Sequence, residues 1–97
     1  MQALIALSLK YLLVSRTALE GFVVSDKNRR AVFVEIMTGE DDLDRLVKKQ
    51  RLIRVVADRA FKELESQGLV ARADGRVVLT PSGEAVAREL KRQDLLS

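Results

Sequence analysis

The sequence predicts a mainly α-helical domain carrying one small β-hairpin, an α+β class, and three observations lead there. A short apolar-periodic segment from Leu43 is followed, after a tight turn, by a longer basic one that closes at Gly68. Two β-branched runs then flank Asp74-Gly75. Thr80-Pro81 opens a last helix, with threonine as cap and proline at the first helical position. Ninety-seven residues suit a single domain, 1–97, with one core. Apolar residues at 47% exclude a disordered chain.

From Ala3 to Val14 the chain is apolar except for Ser8 and Lys10. That stretch is shorter than the roughly 20 residues that cross a bilayer, so no membrane partner is expected. It also lacks the charged start and small-residue cleavage site of a signal peptide. A helix is predicted from about Gln2 to Leu19, stopped near Gly21, making 1–21 an N-terminal helical segment. Its polar residues Ser8, Lys10, Ser15 and Arg16 do not share a face. A helix apolar nearly all round is buried on more than one side. One side can face the domain's own core and the other a second copy. Leu9 and Leu12 are the dimerisation candidates, with Ile5 set aside.

Ser25-Asp26 can cap a second helix over Lys27 to Met37, ended by Thr38-Gly39. Its β-branched and aromatic residues also allow a strand by propensity. The spacing of Phe33, Ile36 and Met37 and the capped start favour helix. Glu40-Asp41-Asp42 places favourable charge at the next helix start, with Asp41 or Asp42 as cap, rather than a metal site. That helix is predicted over Leu43 to Lys49, with a turn from Gln50 to Ile53. The longer helix follows over Arg54 to Gln67, with Gly68 as its left-handed end. Leu69 to Ala73 and Arg76 to Thr80 make the hairpin, because an Asp-Gly pair suits a type I′ turn. Ala85, Val86, Leu90 and Leu95 give the last helix, 81–95, its apolar stripe.

Charge is unevenly placed. The net charge is +3. Residues 27–44 carry three basic and five acidic side chains, whereas 45–76 carry nine basic and four acidic. A basic segment of this kind is the footprint of a phosphate-facing surface. No cysteine or histidine is present, which removes thiolate chemistry, the commonest general base and the commonest metal ligand. No glycine-rich phosphate loop occurs either. An enzyme is not expected, and no cofactor or metal is.

From Leu43 to Pro81 the chain resembles winged helix-turn-helix DNA-binding proteins, of the MarR-like archaeal and bacterial regulator type. The resemblance rests on Leu43, Leu46 and Val47 in the first helix and Leu52 in the turn. It continues through Ala57, Ala60, Phe61 and Leu64 on the inward side of the second helix. Glu63-Leu64-Glu65-Ser66-Gln67-Gly68-Leu69-Val70 matches the wing entry, and Val78-Leu79-Thr80-Pro81-Ser82-Gly83 its exit. Two places depart from the pattern: Ile53 stands where a capping Ser or Thr is common, and Gln50-Arg51 replaces the turn glycine. The resemblance implies a winged helix-turn-helix over 27–80 with added terminal helices. It implies a recognition helix, about 54–67, in the major groove and a wing, 69–80, on the adjacent groove or backbone.

With Ala57, Phe61 and Leu64 inward, helical periodicity turns Arg54, Val55, Asp58, Arg59 and Lys62 outward. Arg54 and Arg59 are the base-reading candidates for guanine, and Val55 can touch a thymine methyl. Asp58 is expected to orient Arg54 or Lys62 one turn away rather than to read cytosine. Lys48, Lys49 and Arg51 are candidates for phosphates, and Arg72 and Arg76 for wing contacts. The expected partner is double-stranded DNA, bound by a homodimer at a pseudo-palindromic site, in the cytoplasm at the nucleoid. No residue signature marks a small-molecule effector site. Two other readings stand. One is a winged helix for protein–protein contact, favoured by Val55 and Val56 on the outward face; the other is an architectural nucleoid protein without sequence preference.

Overall fold

The computed structural model describes residues 18–94. Ile5, Leu9, Leu12 and Leu95 lie outside the described residues. Helix α1 is described over 18–24. It runs on through Gly21 instead of stopping there, because Gly21 O still accepts Ser25 N–H at 2.9 Å. The chain continues through α2 (Lys27–Met37), α3 (Leu43–Gln50), α4 (Arg54–Ser66), the strands β1 (Val70–Ala73) and β2 (Arg76–Leu79), and α5 (Pro81–Arg92). This is a winged helix-turn-helix, mainly α with a two-stranded wing.

The signals read from sequence act locally. The Asp26 carboxylate accepts the N–H groups of Asn28 and Arg29 at 2.8 and 3.0 Å, starting α2. The Arg29 N–H bond is the main reason its carboxyl sits below the usual range. Asp42, not Asp41, caps α3. α4 ends one residue before the expected Gln67, which is its C-cap. Gly68 follows at φ 74°, with Gly68 N–H bonded to Glu65 O and Leu69 N–H to Leu64 O. Those two bonds satisfy carbonyls that the helix end would otherwise orphan. The hairpin is antiparallel, with Val70 opposite Leu79 and Ala73 opposite Arg76. Asp74 and Gly75 both take positive φ, 53° and 76°, as a type I′ turn requires. The strands are one residue shorter at their outer ends than expected. Leu69 and Thr80 turn to the α5 junction, where Thr80 N–H reaches Leu69 O at 3.1 Å. α5 ends at Arg92 rather than near 95, because Asp94 enters the left-handed region at φ 57°.

One core joins these elements. Val32, Phe33 and Ile36 of α2 meet Leu43 and Leu46 of α3, and Ala60, Phe61 and Leu64 of α4. Leu69, Val70, Val77, Val86 and Leu90 extend it under the wing and α5. Each large side chain so buried contributes roughly 1.5–3 kcal/mol before entropic costs. Sequence showed the α4 set in full; it did not show how the ends are tied. Arg29 does much of that. Its guanidinium donates to Phe22 O at 2.8 Å, stacks 3.9 Å from the Phe22 ring centroid, and pairs with Glu63 at 3.2 Å. α1, α2 and α4 therefore meet on one side chain.

Glu40 is a second tie, and a departure from the acidic run as a simple helix-start charge. Its side chain is only 4% exposed and accepts Lys49 Nζ at 3.0 Å. The Lys49 bond outweighs desolvation and holds the Glu40 carboxyl below the usual carboxylate range. The same bond holds the Lys49 ammonium above its ordinary value. This stabilisation is in force above the ordinary carboxylate pKa and is lost as pH falls through the lowered Glu40 value. At the alkaline end it is lost as pH rises through the raised Lys49 value.

Substitutions at two positions test this packing. A Cβ at Gly83 would lie 2.0 Å from Leu69 O, a backbone atom fixed by Thr80 N–H. Gly83→Ala should therefore lose about 1–3 kcal/mol in urea unfolding through overpacking; wild-type stability would refute that close approach. Glu40→Gln should melt below wild type at neutral pH, and the two should converge as pH falls below the carboxylate range. A gap that stays constant with pH would show that the charge on Glu40 does not matter.

Candidate nucleic-acid interface

The rotation of α4 builds this face. Ala57, Ala60, Phe61 and Leu64 are buried, so the positions between them face out. Val55, Asp58, Arg59 and Lys62 line one shallow groove along the helix, with Glu63 and Ser66 at its far end. Arg54 stands apart from that groove. Its Nε donates to Asp58 at 3.0 Å and its Nη1 pairs with Asp44 of α3. Asp58 thus orients Arg54, the expected role, and Asp44 adds a second carboxylate that sequence reasoning did not connect to it.

Two carboxylates beside this groove are occupied internally, while Glu65 is exposed with no ion pair among the described residues. Asp58 holds Arg54, and Glu63 holds Arg29. Arg59 and Lys62 are exposed, with no ion pair among the described residues. Lys48 and Arg51 are likewise exposed and unpaired where α3 hands over to α4. Four free cations among the described residues therefore line the end of α3, the turn and the outward side of α4.

The turn itself is strained. Arg51 takes the left-handed conformation at φ 52°. Its N–H meets Lys48 O at 3.2 Å and Leu52 N–H meets Val47 O at 3.0 Å, the same closure that Gly68 gives α4. A side chain in that conformation costs roughly 1–2 kcal/mol that glycine avoids. Ile53 then serves as N-cap of α4 with no side-chain cap bond and is 70% exposed. Val55 is 68% exposed. Val56 turns partly inward, beside Ala31, Leu52 and Ile53.

The remaining sequence candidates are engaged. Lys49 is held by Glu40 and, at 3.8 Å, by Glu35. Arg72 lies with its guanidinium carbon 4.7 Å from the Phe61 ring centroid, covering the inner aromatic of α4. Arg76 pairs with Asp41 at 3.2 Å, in a groove that Asp42, Asp44 and Asp74 also line. Val77 N–H meets Asp41 O at 2.9 Å, so the loop before α3 borders the wing as a short third strand would. Arg45 lines the same groove and pairs with Asp42 at 3.7 Å, so most aspartates near the wing tip are matched by arginines. Sequence spacing did not reveal this, because Asp41 and Asp44 come from a segment more than a helix away. No helix among the described residues is long and apolar enough to cross a membrane, and no cluster of possible metal ligands occurs among them.

No protein-family model matches the chain, and no curated protein matches it. Solved structures do share the fold. A homodimeric winged helix-turn-helix DNA-binding domain from Mycobacterium bovis, a possible ArsR-family transcriptional regulator, superposes with a TM-score of 0.66 at 21% identity. The match covers 90% of this chain and 82% of that one. A MarR family regulator from Neisseria meningitidis gives 0.62 at 23% identity over 97% of this chain and 73% of its own. A transcriptional regulator protein from Pseudomonas aeruginosa gives 0.59 at 23%, over 98% and 76%. At these identities the likeness establishes the architecture: the chain has the winged helix-turn-helix fold found in ArsR- and MarR-type transcriptional regulators.

Proposed function

We propose that this chain binds double-stranded DNA as a homodimer and regulates transcription, with α4 in the major groove. One observation carries the reading. The outward side of α4 and the turn before it present Arg59, Lys62, Lys48 and Arg51 with no ion pair among the described residues, while Asp58 and Glu63 are neutralised by the protein's own arginines. Free cations beside internally balanced carboxylates suit a polyanion. A recognition helix reads bases from its outward residues, and its flanks hold phosphates.

Within this reading Arg59 binds guanine in a bidentate manner, with Lys62 beside it. Lys48 and Arg51 hold the backbone at the entry to α4. The exposed pairs of Arg54 and Arg76 are worth about 0–1 kcal/mol, so phosphate can take those guanidinium groups in exchange. Lys49 differs, since its release would leave the buried Glu40 carboxylate with only Arg45, at 3.9 Å. Arg72 reaches the backbone from the wing. The M. bovis domain is a homodimer, which supports a two-fold arrangement. Two copies would place their α4 helices about 34 Å apart on one side of the duplex. Leu9 and Leu12 are the proposed dimer contacts.

The deciding experiment is a mobility-shift titration against random duplexes at two salt concentrations, with the bound fraction sequenced. An enriched two-fold motif and a steep salt slope are expected. Binding without enrichment would indicate an architectural protein instead. Arg59→Ala should lose about 1–3 kcal/mol on the selected site and relax one base position. Arg51→Gly should be as stable as wild type or more so, yet bind all duplexes more weakly, with a salt slope reduced by about one; unchanged binding would remove Arg51 from the interface. Leu9→Glu or Leu12→Glu should halve the sedimenting mass, and a wild-type monomer would end the dimer proposal.

A further inference from the structure

The two most exposed large apolar side chains among the described residues are Ile53 and Val55, 70% and 68% exposed, at the N-cap and in the first turn of α4; Ile53 lines a groove with Arg51, and Val55 lines another with Arg59. Ile53 occupies the N-cap, where Ser, Thr, Asp or Asn would stabilise the helix by about 1 kcal/mol. The helices α2, α3 and α5 each have an oxygen-bearing cap that accepts a backbone N–H. Between the two apolar residues, Arg54 is drawn aside by Asp58 and Asp44. The start of the helix therefore shows hydrocarbon on two sides, each beside a cation with no ion pair among the described residues, Arg51 next to Ile53 and Arg59 next to Val55.

Resting on the DNA-binding reading above, we propose that Ile53 and Val55 are the specificity-determining residues of the helix tip and read the 5-methyl groups of thymines. The first residues of a recognition helix meet base edges, and the thymine methyl is the one apolar group that the major groove displays. Cations beside exposed apolar side chains suit a duplex, because phosphates flank the groove on both sides while the methyl lies in its floor.

Deoxyuridine gives the direct test, since it pairs as thymidine does and lacks only the methyl. The duplex selected from the random pool is remade with uracil for thymine, one position at a time, and titrated with the full chain. Wild type should select thymine within the half-site and lose about fourfold in affinity for each contacted methyl removed. Ile53→Ala and Val55→Ala, both at exposed sites, should bind the thymine duplex more weakly and no longer distinguish uracil from thymine. Arg59→Ala should retain that discrimination. A selected motif bound equally with uracil, or binding with no selected motif, would overturn the methyl readout while leaving DNA binding intact. Failure to bind any duplex at low salt would overturn the DNA-binding reading itself and leave the apolar tip to a protein partner.

Discussion

The rotational setting of α4 is the constraint from which the rest of the molecule follows. Phe61 has no exposed surface; it shares its core with Phe33 of α2, and the Arg72 guanidinium lies over its ring. Ala57 and Ala60 let the helix approach the core closely, and Leu64 locks its far end beside Leu69. With 3.6 residues per turn, burying these four leaves no freedom over which residues face out. A turn of the helix by one position would expose Phe61 and bury Asp58 or Lys62 without a partner. The packing cost of that error is several kcal/mol, so the core itself aims the outward face.

Electrostatics then sorts the outward groups. Acidic side chains are almost as numerous as basic ones, so the small excess of charge would mean little if it were evenly mixed. It is not. Asp41, Asp42, Asp44 and Asp74 gather at the wing tip and the start of α3. Cations without an ion pair among the described residues stand at the other end of α3 and along α4, and also on α2 and α5. Carboxylates near these cations are turned to structural work: Glu63 grips Arg29, Asp58 grips Arg54, and Glu40 and Glu35 share Lys49. On the proposed DNA-binding reading, the cations on the outward side of α4 and the turn before it, without ion pairs among the described residues, would draw a polyanion to that face.

Local chemistry made most of the fold legible in the sequence. Asp26, Asp42 and Thr80 cap helices because their side chains can bond nearby N–H groups, and Asp74-Gly75 turns because both residues tolerate positive φ. The α4 core set was legible for the same reason: a period of 3.6 is a local property. What could not be read were pairings across the fold. Nothing in spacing joins Arg29 to Glu63, Glu40 to Lys49, Arg54 to Asp44 or Arg76 to Asp41, since each depends on how two elements dock. Those pairings decide which of the candidate cations stay free. Arg59 and Lys62 have no acidic neighbour committed to them among the described residues; Lys49 and Arg76 do. The continuation of α1 past Gly21 was hidden too, because a glycine ends a helix only where the next carbonyls find other donors.

Backbone conformation at Arg51 links the stability of the motif to its use. Two helix ends close by the same pair of hydrogen bonds, one around Gly68 and one around Arg51. Glycine relieves the first and would relieve the second equally well. At Gly68 the chain turns toward the wing, where nothing is asked of a side chain. At Arg51 it turns toward α4, and the side chain stands exposed, with no ion pair among the described residues, at the entry to the outward face of α4. Two residues later the helix begins on Ile53, without a cap bond. Both choices sacrifice local stability, and both do so within three residues, at the one corner where α3 and α4 would together meet a duplex. A left-handed arginine where glycine would serve, next to a helix start without a cap bond, is what contacts of these side chains outside the domain, as proposed above, would account for.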